Sequence, residues 1–206
     1  MATSKYSSSK SVGTSSSKPK FKIVINSPVI LTFSAICVLA LVLGKITNNN
    51  TNAMLFSVYR QGASMANPLT YLRFFGHVFG HANLEHLVGN LMMILVLGPM
   101  LEERYGGKLI ALIIGITALV TGLASFILFP NIALMGASGI VFAFILLSSF
   151  TGFKDREIPL TFILVAVLYL GEQIYQGIFV DDNVSQFTHI LGGITGAVIG
   201  YRLNKK

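Results

Sequence analysis

From Ile23 onward the chain alternates long apolar runs with short polar breaks, and six of the runs suit bilayer-spanning helices. Such a helix needs roughly 20 mainly apolar residues. The first run covers about Ile23 to Leu43, and the second about Leu84 to Leu101, with Glu85, His86 and Asn90 inside it. The third runs from about Leu109 to Leu128, the fourth from Ser138 to Phe150, the fifth from Ile158 to Ile174, and the sixth from Phe187 to Tyr201. Pro130 and Asn131 mark the turn between the third and fourth. No soluble domain interrupts the series and no internal repeat stands out. The expectation is an all-α membrane protein, a six-transmembrane-helix bundle built as one domain over residues 21–206.

Two stretches fall outside the spans. Residues 1–20, "MATSKYSSSKSVGTSSSKPK", hold too little apolar surface to fold and read as a disordered basic tail. The segment from Thr47 to Gly80 is long, aromatic and weakly polar, which suits a loop lying in the membrane interface. The run after the tail is too long for a signal peptide and more spans follow it, so it reads as a signal-anchor helix.

Composition supports the membrane reading. The chain has 206 residues, 53% hydrophobic and only 11% charged, with a mean hydropathy of +0.71; soluble domains carry about 25% charged residues. The net charge of +7 does not read as a nucleic-acid surface, because the charges flank apolar runs and line no face. With the N-terminus inside, Lys5, Lys10, Lys18, Lys20, Lys22, Arg104, Lys108, Lys154, Arg156, Arg202, Lys205 and Lys206 lie on the inner side, against Lys45, Arg60 and Arg73 outside. That asymmetry predicts cytoplasmic N- and C-termini. The compact layout reads as a bacterial plasma-membrane protein. Cys37 is the single cysteine, so one chain can form neither a disulfide nor a cysteine-based zinc site.

Polar groups inside spans are costly and mark functional sites. His86 and Asn90 are four apart and share a helix face. They lie 16 and 12 residues before Glu102, Ser138 lies 16 before Lys154, and His189 lies 13 before Arg202. Helical rise converts these to heights of roughly 24, 18, 24 and 20 Å above the inner surface. Three helices thus bring polar groups to one depth, somewhat below the outer surface, and predict a buried polar site opening outward.

The residue types suit acyl transfer. Serine becomes a nucleophile when a nearby base takes its proton, and His189 can be that base. The developing oxyanion needs donors, which His86, Asn90 and the Ser138 amide can supply. Gly192, Gly196 and Gly200 recur every four residues and allow close helix packing beside His189. No acidic residue lies near the sixth span except the outer Asp181 and Asp182, so a Ser–His dyad is the simpler arrangement. Each residue alone has a plainer reading: Ser138 as a packing serine, His189 as a buried hydrogen-bonded histidine, Asn90 as interhelical glue. His77 reads as interfacial and structural. His77, His81 and His86 lack the H-E-x-x-H spacing of a metalloprotease, so no metal is expected.

Taken together, "YLRFFGHVFGHANLEHLVGNLMMILVLGPMLEERYGGKL", "MGASGIVFAF" and "THILGGITGAVIGY" resemble the rhomboid family of intramembrane serine proteases. The resemblance covers about Tyr71 to Tyr201 and implies a rhomboid-like bundle with Ser138 as nucleophile and His189 as general base. It further implies an oxyanion hole of His86, Asn90 and Ser138, and supporting roles for Phe142, His81, Gly136, Gly139, Gly192 and Gly196. Arg73, Glu102 and Arg104 take structural roles, and no cofactor is implied. The family often has Tyr where this chain has Phe142, and Trp where it has Leu72. Single-span membrane proteins would be the substrates and the bilayer the surroundings, with no nucleic acid and no obligate partner. The alternative is a catalytically silent rhomboid-like protein that binds and escorts membrane helices; a small transporter fits less well, lacking an inverted repeat and a mid-membrane acid.

Overall fold

The computed structural model describes residues 23–61, 63–150 and 183–204, with isolated positions 160, 163, 164, 167, 168 and 171. The tail 1–20 and most of the fifth apolar run lie outside the described residues. In chain order the helices are α1 (Pro28–Ile46), α2 (Asn50–Leu55), α3 (Pro68–Gly76), a 3-10 turn (His77–Phe79), α4 (Leu84–Tyr105), α5 (Gly107–Leu128), α6 (Ser138–Ser149) and α7 (Asn183–Asn204). Among the described residues, α1, α4 and α5 are long and apolar enough to cross a membrane, and α6 is a shorter apolar helix.

Helix α1 starts five residues later than the apolar run, because Pro28 occupies its first turn and is preorganised for that position. Ile23, Val24 and Ile25 lie outside the helix and are exposed. Pro28 has no N–H, and Leu31 donates to the Ser27 carbonyl. The two remaining first-turn amides, Val29 and Ile30, each donate at 3.0 Å to one carboxylate oxygen of Glu102 on α4. The orphan donors of this helix start are thereby met, and a buried negative charge sits at the positive end of the helix dipole. Ile30 also fills the notch above Gly98 of α4, where an added Cβ would approach its side chain to 2.7 Å.

Between α1 and α4 the chain forms a folded interfacial segment. Asn67 caps α3 by accepting from the Leu69 amide at 2.9 Å. Helix α3 buries Thr70, Arg73 and Phe74 while Tyr71, Leu72 and Phe75 stay exposed, so its outward face is aromatic and apolar, as a membrane interface requires. Arg73 is inward instead: its Nε donates to the Met54 carbonyl at 2.8 Å and its guanidinium lies 4.6 Å from the Tyr59 ring centre. Leu72 stands exposed, and Arg73 shares the tie of α3 to the chain before it with Thr70, whose hydroxyl donates to the Ser64 carbonyl at 2.7 Å.

The closest packing joins α6 and α7. A Cβ on Gly192 would collide with the Gly139 carbonyl, one on Gly196 with the Ala143 carbonyl, and one on Gly200 with the Phe150 ring at 2.7 Å. Contacts that advance together along both helices mean that α6 and α7 run parallel. At their far end Asn204 donates to the Tyr105 hydroxyl at 3.1 Å and accepts from Arg104 at 3.4 Å, tying α7 to the end of α4.

Candidate active site

Ser138 is the first residue of α6, where the backbone amide has no acceptor within its own helix. The loop before it is held by the interfacial segment. Val58 and Leu134 exchange two backbone hydrogen bonds of 2.9 Å, Gln61 donates to the Pro130 carbonyl at 3.0 Å, and Gly136 donates to the His77 carbonyl at 2.9 Å. The 3-10 turn that makes this last contact is anchored in turn. His77 is buried, with Nδ1 donating to the Arg73 carbonyl and Nε2 3.3 Å from Thr121 Oγ1 of α5.

Gly136 has φ +130, a conformation that excludes most side chains. Space excludes them too: an added Cβ would lie 2.7 and 2.8 Å from Cε1 and Nε2 of His86, and 3.9 Å from Nδ2 of Asn90. The edge of the His86 ring therefore faces the backbone two residues before Ser138, with the Asn90 amide beside it. Asn90 Nδ2 is buried without a hydrogen-bond partner, an arrangement costing about 1–3 kcal/mol unless something accepts from it. Asn83 caps α4 by accepting from the His86 amide at 2.8 Å, which fixes the turn that carries His86.

His189 reaches the same place from α7. Its ring lies against Phe142, centroids 4.4 Å apart and planes at 45°. Phe142 is one turn beyond Ser138, so both occupy one face of α6. The contact of Gly192 with Gly139 brings the helix turn carrying His189 close to that face. Ser138, His189, His86, Asn90 and Gly136 are thus brought to one region at the start of α6. Gly139 itself is pinched between α7 and Thr121, whose Cγ2 would lie 3.2 Å from an added Cβ.

His81 stands behind His86, ring centres 5.1 Å apart and edge to face. Its Nδ1 donates to the Phe79 carbonyl at 3.1 Å, leaving Nε2 buried without a partner. Burial pulls its pKa from the ordinary 6.5 down to about 4, and the nearby His86 adds to the shift. Burial does the same to His77, also to about 4. Both rings are neutral at physiological pH. Among the described residues no three His, Cys, Asp or Glu side chains gather as a metal site would require.

Sequence reasoning missed three features. The strap between Val58 and Leu134 left no trace, because a single pair of residues has no period. The buried column Thr117, Thr121 and Ser125 on α5 did have one, four residues apart on an otherwise apolar helix. A cavity of about 270 Å³ beside the strap, lined by Asn52, Ser57, Tyr59, Ala82, Ala133 and Met135, depends on chain segments far apart in sequence.

Among the described residues α1, α4 and α5 are long and apolar enough to cross a bilayer, which places the chain among integral membrane proteins of the helical class. A rhomboid domain matches residues 68–206, and the chain belongs to the rhomboid family. It is 35% identical over 158 residues to rhomboid-related protein 2 of Mus musculus, covering 66% of this chain and 52% of that protein. It is 33% identical over 138 residues to rhomboid-related protein 1 of Caenorhabditis elegans, covering 63% of this chain and 39% of that protein. The chain thus spans about half or less of the length of these curated relatives.

Proposed function

We propose that this chain is an intramembrane serine endopeptidase that hydrolyses peptide bonds in or near the transmembrane segments of single-span membrane proteins. One observation carries the reading: the Phe142–His189 contact brings an imidazole to the face of α6 that starts with Ser138. In the proposed reaction Ser138 Oγ attacks the scissile carbonyl carbon while His189 takes its proton. The oxyanion accepts hydrogen bonds from the Ser138 amide, His86 and Asn90 Nδ2, whose missing partner it would supply. Collapse breaks the C–N bond, and His189 gives its proton to the leaving amine. Water then attacks the acyl-enzyme, delivers a proton to His189, and the ester bond breaks to restore Ser138. The sequence requires no cofactor. A substrate helix must unwind locally, because a hydrogen-bonded helix hides its carbonyl groups.

The proposed bundle has six spans with both termini cytoplasmic and the site opening outward. The parallel run of α6 and α7 supports the count: in the proposed bundle both start on one side of the bilayer, with one further crossing between them. Within that interval Leu160, Ile163, Leu164, Val167, Leu168 and Gly171 are helical and exposed, at helical spacing. The positive-inside asymmetry supports the orientation. The two relatives come from a mouse and a nematode and lend no support to a bacterial membrane.

The test is labelling of purified protein by a serine-directed fluorophosphonate, together with cleavage of a transmembrane substrate. Both are expected for the native protein, and neither for Ser138→Ala. Native protein that neither labels nor cleaves leaves the escort reading in its place; labelling that survives in Ser138→Ala removes Ser138 from the role. His86→Ala and Asn90→Ala should each lower kcat about 100- to 1,000-fold, the usual cost of an oxyanion donor.

A further inference from the structure

A second recess lies away from Ser138, between α1 and α5. Its walls are Val29, Thr32 and Ile36 on α1 and Ala111 and Ile114 on α5, with Phe79 closing the deep end; its volume is about 360 Å³. Such a volume is in the range of small-molecule sites, and Thr32 supplies the one hydroxyl among these six side chains. From Pro28 to Ile36 the recess climbs about 12 Å along α1. At depth it ends on the packed rings of Phe33 and Phe79, whose centroids are 5.1 Å apart.

The mouth has a different character. Lys108 is exposed one turn before Ala111 and shares its helix face. Glu102, whose carboxylate reaches the Val29 end of the recess, is buried and committed to the amides of Val29 and Ile30. Exposed Ile23, Val24 and Ile25 extend the apolar surface from the start of α1, and Lys22 precedes them in sequence. An open apolar groove with an exposed lysine one turn beyond its end is complementary to one occupant: an acyl chain carrying an anionic headgroup.

We propose that the α1–α5 recess binds an anionic phospholipid, one acyl chain in the slot and the phosphate on Lys108. The site is independent of the proteolytic reading and holds for an inactive chain as well. It gives α1 a lipid contact along its face toward α5, and makes retention of that lipid depend on one lysine.

The test is native mass spectrometry of the full chain in detergent, with phosphatidylglycerol and phosphatidylcholine of identical acyl chains added separately. The native protein should retain phosphatidylglycerol several-fold better. K108Q should bring the two lipids to near parity, and Ala111→Trp, filling the slot from an exposed helix position, should lower retention of both several-fold. Thr32→Trp does so from the opposite wall, should Ala111→Trp fail to fold. Equal retention of the two lipids by the native protein overturns the proposal. So does native-level retention in a folded slot-filling variant, or a disulfide-linked dimer formed in vesicles through Ala111→Cys, which would make the recess an interface between copies.

Discussion

The ring of Phe142 rests on the imidazole of His189, 4.4 Å between centroids, and so joins the face of α6 that bears Ser138 to α7. In the proposed reaction His189 is the base and this ring limits where its imidazole can lie, so Phe142→Ala should lower kcat/KM about 100-fold, as small misplacements of a reacting group do. Phe142→Tyr keeps the ring and should stay within a few-fold of native. Cleavage rates of a transmembrane substrate decide the matter; a Phe142→Ala protein of native rate removes the orienting role.

Gly192 meets backbone, which cannot swing aside as a flexible side chain can. Gly192→Ala should therefore force α6 and α7 apart and destabilise the protein by about 1–3 kcal/mol, the usual cost of overpacking. Gly89 and Gly115 face open space, so alanine at either is expected to be neutral or slightly stabilising. Thermal unfolding of the three variants in one detergent gives the comparison, and equal midpoints would contradict the contact.

Glu102 accepts with both oxygens, and a glutamine has one acceptor and one donor. Glu102→Gln should lose one of the two bonds to α1 and about 1–2 kcal/mol, in line with lost helix caps. Glu102→Ala should lose more. Hydrogen exchange at the amides of Val29 and Ile30 reads the local effect directly: it should accelerate in both variants, and unchanged protection in Glu102→Ala would show that another group caps the helix.

His77 and His81 lie outside the spanning helices, and burial holds both near a pKa of about 4. Between pH 6.5 and 4 the unfolded chain takes up protons that the folded chain refuses. Their contribution to stability is therefore intact above pH 6.5, declines as pH falls, and bottoms out below about 4, at a cost of about 3 kcal/mol per ring. Melting temperature against pH should fall over that window. His81→Gln should flatten part of the fall, and a curve that is level from pH 7 to 4 would refute the assignment.

Much of this architecture was legible because bilayers impose a simple grammar of length and polarity. Five of the six apolar runs coincide with described helices, and helical rise alone was enough to single out His86, Asn90, Ser138 and His189 as residues to expect together. The boundary at Pro28 was readable from its ring chemistry, yet the apolar Ile23–Ile25 drew the expected start outward. His77 read as interfacial and structural, but the direction of its side chain, inward onto Thr121, was not legible; no local pattern says which way an aromatic, weakly polar turn faces. Glu102 was marked as structural, but its partner is a pair of backbone amides on α1, and backbone donors carry no sequence signature.

The bridge from Val58 to Leu134 has a consequence for engineering. The loop entering α6 is tied by a single bridge to residues 57–61 of the interfacial segment, so the two are one unit in any exchange between relatives. A graft of residues 130–137 alone would arrive without its mate, while a graft that includes 57–61 carries both halves of the joint. Chimeras built on helix boundaries cut through this unit; chimeras built on the bridge would keep it whole.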